Sequence, residues 1–262
     1  MSTARIRVIQ ITDPHLFADS NSTLMGINTS ATLDGVLAKV QDDYHDIECL
    51  LVTGDLTQDD SEASYYHLKD KLSALNVPSY WLRGNHDQPD LMNAIHPSAM
   101  EKQVLLGEWQ ILLLNTQVDG EVFGHLSSTE LALLEKYLVQ EPTKHCLLAL
   151  HHHPAPINSQ WMDSIMLKNP DDLARVLSRH NNVRAIIHGH VHQARDYEFC
   201  NIPVMATPST CVQFAPESDK FLADTRQPGF RVLDLFPDGR IKSQIVRTSD
   251  KPMRINLDSK GY

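Results

Sequence analysis

Leu50-Leu51-Val52-Thr53-Gly54-Asp55-Leu56-Thr57 is the stretch around which the whole chain can be read. Three apolar residues open it and suit a buried strand. Gly54 breaks the run and lets the backbone turn or approach another group closely. Asp55 follows at the strand's end, where open α/β sheets place their ligand sites. Its two carboxylate oxygens allow one aspartate to bridge two metal ions.

Outward from this stretch the same design recurs. Upstream, Ile6, Val8, Ile9 and Ile11 predict a strand over 5–12 that runs into Asp13-Pro14-His15. Residues two apart in an extended segment share a side, so Asp13 and His15 are expected to face one ion. Pro14 between them fixes a backbone angle and leaves no N–H to satisfy. Downstream, a short strand over 79–82 stops at Arg83-Gly84-Asn85-His86-Asp87. Asn85 offers a neutral carbonyl oxygen as a ligand, and His86 is a titratable group beside it. A buried strand over 146–150 ends in His151-His152-His153-Pro154. One of the three is expected to reach a metal, and the run itself leaves open which. A further strand over 183–187 runs into His188-Gly189-His190-Val191-His192. Alternation in an extended chain predicts that His190 and His192 serve adjacent ions, with His188 packed or hydrogen-bonded instead.

Between these strands lie amphipathic helices. One runs to about Asp43 from a cap at Thr29 or Ser30, with Leu33, Val36, Leu37 and Val40 on one face. Others span 61–75, 127–139 (with Leu131, Leu134 and Leu138 buried) and 171–180. Hairpins are expected at 104–114, 195–206 and 230–246, the last turning at Pro237-Asp238-Gly239-Arg240. Residues 16–28 and 158–168 are irregular, and Trp161 and Met162 look exposed. No repeat, low-complexity segment or linker divides the chain, so a single domain over 1–262 is expected.

The formal net charge of −10 over 262 residues excludes a broad basic surface for nucleic-acid polymers. No apolar run approaches the ~18 residues needed to span a membrane. The start, Met1-Ser2-Thr3-Ala4-Arg5, is not a signal peptide, which points to the cytoplasm. Cys49, Cys146, Cys200 and Cys211 lie far apart and suit reduced thiols there. An acidic chain that handles an anionic substrate needs local positive charge, and metal ions are the obvious source. The candidate ligands are nitrogen and oxygen donors without sulfur, which suits iron, manganese or zinc. They exceed what one ion needs and divide into four for each of two ions if Asp55 is shared. Two ions about 3.5–4 Å apart suit in-line attack on phosphorus and lower the pKa of a bridging water. His86 is then free to stabilise the transition state or to protonate the departing alkoxide.

The order Asp-x-His, Gly-Asp, Gly-Asn-His-Asp, His-His-His-Pro, Gly-His-x-His resembles the calcineurin-like metallophosphoesterases over most of the chain. The resemblance implies a four-layer α/β/β/α sandwich of two mixed β-sheets with a dinuclear site at the strand ends. It implies a first metal held by Asp13, His15, Asp55 and His192, and a second by Asp55, Asn85, His151 and His190. His86 would touch the scissile phosphate, with His15, Asp55 and Asn85 also facing the substrate. Within the family, the chain looks most like the bacterial class III 3′,5′-cyclic-nucleotide phosphodiesterases. The grounds are Gln10-Ile11-Thr12-Asp13-Pro14-His15-Leu16-Phe17, Gly54-Asp55-Leu56-Thr57-Gln58-Asp59 and Ala206-Thr207-Pro208-Ser209-Thr210-Cys211-Val212-Gln213-Phe214.

That likeness implies hydrolysis of 3′,5′-cyclic AMP to 5′-AMP by a metal-bridging hydroxide. Its cofactors would be two divalent ions, iron or manganese favoured and zinc admissible. The partner is then a small cyclic nucleotide, with no nucleic-acid polymer and no membrane, and the protein a monomer or homodimer. Purple acid phosphatases carry a tyrosine three residues after the Gly-Asp aspartate. Gln58 stands there in this chain, so a tyrosine–iron(III) pair is not expected. The competing readings are a general diesterase for 2′,3′-cyclic nucleotides or glycerophosphodiesters, and a metal-binding regulatory protein without turnover. The presence of both Asn85 and His86 speaks against the second. Residues 17–28 and 157–168 are candidates for the base pocket by position alone.

Overall fold

The computed structural model describes residues 5–256, which fold into two mixed β-sheets packed face to face. In the first sheet, Ile6–Ile11 pairs in parallel with Cys49–Thr53, and that strand in parallel with Ser79–Leu82. On its other side Ile6–Ile11 pairs antiparallel with Gly229–Leu235, which pairs with the edge strand Ile241–Arg247. Parallel neighbours need a crossover connection, and helices Thr29–Asp43 and Glu62–Ser73 supply it. The three parallel strands therefore end on the same side of the sheet.

The second sheet repeats this plan. Trp109–Leu113, His145–Ala149, Val183–His188 and Ile202–Ala206 run in parallel. Gln103–Leu106 and Arg195–Phe199 close its two edges as antiparallel hairpin partners. Helices Ser128–Gln140 and Pro170–Leu177 make two of its crossovers.

Period-2 alternation sends each central strand's side chains into two cores, which is why these strands read as continuous apolar runs. Ile9, Ile11, Leu50 and Val52 pack outward on Leu33, Val36 and Leu68 of the helices. Val8, Leu51 and Leu233 face the second sheet and meet Ile111, Leu147 and Ala149. Leu112, Leu148 and Ile186 pack on the opposite helices through Leu134, Leu138 and Leu173. Three cores separate four layers, and the α/β/β/α sandwich expected from the sequence is the architecture found. Each fully buried aliphatic side chain here contributes roughly 1.5–3 kcal/mol.

Local expectations needed correction in three places. Asn28, not Thr29 or Ser30, caps the first helix, its Oδ1 accepting from the amide of Ala31 at 2.7 Å. Residues 16–28 hold two short paired strands, Thr23–Leu24 and Ile27–Asn28. Residues 158–168 contain a helical turn, Gln160–Asp163, and Met162 within it is buried beside Ile157, Val212 and Phe214. A lone apolar residue in a short segment carries no periodic signal, so its burial is invisible before the fold is assembled. Cys49, Cys146 and Cys211 are buried and unpaired, and Cys200 is exposed. Among the described residues, no helix is long and apolar enough to cross a membrane.

Candidate metal centre

The ends of five strands from the two sheets converge, and the backbone there is unusual. Asp13, His15, Asp55, His190 and His192 have φ of 52°, 45°, 51°, 66° and 49°. Non-glycine residues in this region cost about 1–3 kcal/mol each and persist where the surroundings enforce them. Cross-strand bonds do so: the amide of Asp13 donates to the carbonyl of Gly54 at 3.0 Å, and that of His15 to Asp55 at 3.0 Å. This corrects the extended geometry expected for 13–15 and 188–192. The side chains converge because the backbone coils left-handed at each position, not because a strand alternates.

Close packing leaves no room beside these groups. A Cβ on Gly84 would stand 2.1 Å from Oδ1 of Asp55, and one on Gly54, itself at φ +102°, would stand 2.3 Å from Nδ1 of His151.

Hydrogen bonds to the far side of each ring fix its tautomer. His15 donates from Nδ1 to Oε1 of Gln58 at 2.7 Å, and His192 from Nδ1 to the carbonyl of Val212 at 2.9 Å. Oxygens of this kind only accept, so both Nε2 atoms carry lone pairs, yet they face each other at 3.2 Å. His151 donates from Nδ1 to the carbonyl of Thr53 at 2.8 Å. Its Nε2 then points at Oδ1 of Asn85 at 3.2 Å and Oδ2 of Asp55 at 3.4 Å. Nε2 of His192 lies 3.4 Å from Oδ1 of Asp13, and the buried Nε2 of His190 has no hydrogen-bond partner among the described residues. Asp13 accepts the backbone amide of His190 on both oxygens at 3.1 Å.

Imidazole nitrogens and carboxylate oxygens therefore crowd together in a buried cluster, with one backbone amide donated to each aspartate. Among the described residues, histidines are the only ion-pair partners of Asp13 and Asp55. Two groups of potential ligand atoms, Asp13–His15–His192 and Asp13–Asp55–His151, each fall within 4.8 Å. Asp13 is common to these two groups, and Asp55 also joins His15 and His86 in another, so each aspartate lies among several potential ligand atoms.

Charge and burial then set the protonation of these rings. Burial lowers the basicity of His151, but the charges of Asp55 and Asp13 outweigh it and raise the ring to about 9, so a cation bound beside it would displace a proton from Nε2. Burial would raise Asp55, but His151 and His86 hold its carboxyl well below the usual range. Burial drives His15 and His190 far down, so both stay neutral and able to donate a lone pair.

Within the triple-histidine run the structure separates the roles. Both nitrogens of His152 are engaged, with Oγ1 of Thr116 at 2.7 Å and the carbonyl of Val122 at 3.2 Å. His153 turns away, its Nε2 3.6 Å from Asp163. Only His151 offers its Nε2 to Asp55 and Asn85. His188 is bonded to Tyr197 at 2.9 Å and to the carbonyl of Gly189, the hydrogen-bonded placement expected of it. His86 anchors its amide on Oδ1 of Asp55 at 3.0 Å, and its ring stands edge-on to His15 with centroids 5.0 Å apart.

Two supports were not visible beforehand. Asp87 is buried and accepts from the amides of Gly84 and Leu56 at 2.8 and 3.0 Å and from the hydroxyl of Tyr65 at 3.1 Å. It clamps the 84–87 turn against the Asp55 strand. The Thr207–Phe214 segment clamps the other side. Ser209 donates to the carbonyl of Asp13 at 2.8 Å, Val212 receives the bond from His192, and Phe214 stacks flat on the His192 ring at 4.1 Å.

A cavity of about 260 Å³ opens directly onto this cluster, bounded by Asp55, Asn85, His86 and His190. Of the two segments suggested by position, 157–168 lines it and 17–28 does not. A second, polar cavity of about 480 Å³ lies across Asn85 and His86, with Arg83, Gln88 and Gln117 on its walls. A depression of about 580 Å³ between Leu72, Val77 and Tyr80 shares no residue with the cluster.

Residues 6–194 match the family model of the calcineurin-like phosphoesterases. A 3′,5′-cyclic adenosine monophosphate phosphodiesterase of Haemophilus influenzae is 41% identical over 98% of this chain and 95% of its own length. The protein of the same description from Escherichia coli is 40% identical, over 99% and 96%. Among solved structures, a dimetal phosphatase from Danio rerio superimposes with a TM-score of 0.66 at 14% identity, covering 93% of this chain and 99% of its own. A purple acid phosphatase from yellow lupin seeds does so at 0.65 and 15%, covering 97% of this chain and 53% of its own. At such identities these two structures show a shared fold.

Proposed function

The chain belongs to the calcineurin-like phosphoesterase family, and from that premise we propose that it hydrolyses 3′,5′-cyclic AMP to 5′-AMP at a dinuclear metal centre. The observation that carries the centre is the meeting of ligand atoms: Nε2 of His15 against Nε2 of His192, and Nε2 of His151 against Asp55 and Asn85. Imidazole nitrogens and carboxylate oxygens grouped and buried in this way match the donor set of a divalent ion, so the residues present fit the ions. Asp13, His15, Asp55 and His192 would hold one, and Asp55, Asn85, His151 and His190 the other. Imidazole and carboxylate donors favour iron or manganese, with zinc admissible. Two divalent ions at this position supply charge neutralisation for the phosphate oxygens and an acidified water as nucleophile.

The chain's own groups do the rest. His15, Asp55, Asn85 and His86 form the floor on which the phosphate sits. His86, half-buried between the two cavities, is placed to hold a proton for O3′ as its bond to phosphorus breaks. The tautomers set by Gln58, Val212 and Thr53 keep three ring nitrogens aimed at the cluster. Gln58 spends its side chain on His15 and contributes no phenolate. Residues beyond the family match return to the first sheet, since Gly229–Leu235 pairs with Ile6–Ile11, and this supports one domain over 1–262. A cytoplasmic monomer or homodimer completes the reading.

Substrate competition tests it. Manganese-loaded protein should release 5′-AMP from 3′,5′-cyclic AMP far faster than it cleaves 2′,3′-cyclic AMP or bis(p-nitrophenyl) phosphate. Equal or faster cleavage of the generic diesters would remove the cyclic-nucleotide assignment and leave a general diesterase.

A further inference from the structure

The cavity above the cluster has two unlike sides. One is the polar floor just described. The other is built from Val122, Trp161, Met162, Ile165, Phe214 and Phe221, without a single charged residue. Trp161, Phe214 and Phe221 form a mutual edge-to-face set, with centroids 5.2 Å apart for Trp161–Phe214 and 5.4 Å for the other two pairs. Such a set keeps its shape without a ligand. Phe214 presents its other face to the His192 ring at 4.1 Å, so the aromatic wall begins one ring's thickness from the cluster.

Nε1 of Trp161 is buried and has no hydrogen-bond partner among the described residues. Buried donors are normally satisfied, and an N–H beside an apolar cavity asks for an acceptor carried in by a ligand. A volume of about 260 Å³ falls just short of the ~300–1,000 Å³ that encloses a whole drug-sized ligand. It suits one planar ring system attached to a group that remains on the floor.

We propose that this cavity is the base subsite: the purine of the cyclic nucleotide lies against Trp161 and Phe221, and Nε1 of Trp161 donates to one of its ring nitrogens. The proposal rests on the cyclic-nucleotide reading above. A bare phosphodiester has neither a flat apolar face nor a ring-nitrogen acceptor and gains nothing from this wall. A nucleotide has both, one ribose away from its phosphate.

The test compares 3′,5′-cyclic AMP with the same cyclic phosphate on a methyl riboside, which lacks the base. The ratio of kcat/KM for the two should fall about 10-fold in Phe221→Ala, the scale of one base–aromatic contact. Trp161→Phe keeps a ring but removes the donor, and should lower the ratio about 3-fold. Binding supplies an independent readout. Trp81 and Trp109 are buried in the other cores, so 5′-AMP added to the metal-loaded protein should quench tryptophan fluorescence through Trp161. Ribose 5-phosphate should not, and Trp161→Phe should abolish the effect. An unchanged ratio in both variants, or an absence of quenching by 5′-AMP, overturns the proposal. If wild-type protein cleaves neither substrate while 5′-AMP still quenches saturably, the catalytic reading fails and the subsite stands.

Discussion

In the cluster that floors the cavity, Asp13, His15, Asp55, His190 and His192 are presented from strand ends by left-handed backbones, with main-chain bonds tying Asp13 to Gly54 and His15 to Asp55 and the His190 amide held by the Asp13 carboxylate. On the wall above it, Trp161 comes from a four-residue helical turn, and Phe214 and Phe221 from around a two-stranded ribbon of two-residue strands. Backbone and sheet register hold the floor, whereas side-chain packing holds the wall. A rigid floor is what charge stabilisation needs, because misplacing a reacting group by about 1 Å can cost 10²-fold. An aromatic wall only has to offer a face, so its errors are graded.

Asp55→Ala should have the largest effect. It removes the oxygens that face His151 and His15 and the acceptor for the amide of His86. Turnover of 3′,5′-cyclic AMP should drop on the order of 10³-fold or more, and elemental analysis should show loss of bound metal. Retained metal with retained rate would break the claim that the floor depends on this carboxylate.

Gly84→Ala comes next, and it separates backbone from side chain because it touches no ligand chemically. The new methyl would meet Oδ1 of Asp55 at 2.1 Å, so the carboxylate must move. A fall in kcat of about 10²-fold is expected, and an unchanged kcat would show that the floor yields as easily as the wall.

Asp163→Asn probes the wall. Asp163 accepts the amides of Ile157 at 2.8 Å and Ser159 at 3.2 Å, and so closes the turn that carries Trp161. KM for 3′,5′-cyclic AMP should rise a few-fold with little change in kcat, and about 1 kcal/mol of stability should be lost at pH 7. Burial would raise this carboxyl, but hydrogen bonding to His153, Ile157 and Ser159 outweighs it and holds the group below its ordinary value. Its contribution is therefore present above the unfolded pKa of about 3.9 and is lost as pH falls through the folded value. Urea titrations of wild type and variant should begin to converge near pH 4 and meet only once the pH is below the folded value, and a gap that persists beyond that would contradict the assignment.

Asp234→Asn, on the internal strand Gly229–Leu235 and outside the lining of either cavity, should have the smallest effect. It breaks ion pairs with Arg7 at 2.8 Å and Arg5 at 3.0 Å. Partly exposed pairs contribute roughly 0.2–1 kcal/mol, so a small drop in Tm with unchanged kcat is expected. A large loss of activity would show that strain travels from this strand to the floor.

The floor was legible in the chain because each of its residues follows a strand and most of the strands stop at a glycine. Asp55, the 84–87 turn and His190 announce themselves by that punctuation. What pattern reasoning missed was the route of convergence: strand periodicity assigns extended backbones to Asp13, His15, His190 and His192, and a left-handed φ leaves no mark in an Asp or His letter. The choice of His151 from its run followed from the family resemblance, and the structure adds that the carbonyl of Thr53 orients the His151 ring while Thr116 engages His152. The wall was illegible for a different reason. Val122, Trp161, Phe214 and Phe221 lie up to a hundred residues apart in segments too short for any period. The support given by Ser209 was hidden because its partner is a main-chain carbonyl.

Metal stoichiometry tests the central claim, that the grouped ligand atoms of the floor mark two adjacent cation positions, most directly. Manganese(II) titrated into metal-stripped protein, with bound metal and 3′,5′-cyclic AMP hydrolysis followed together, should reach two ions per chain, with activity appearing as the second binds. Full activity with no metal, or saturation at one ion per chain, would contradict it.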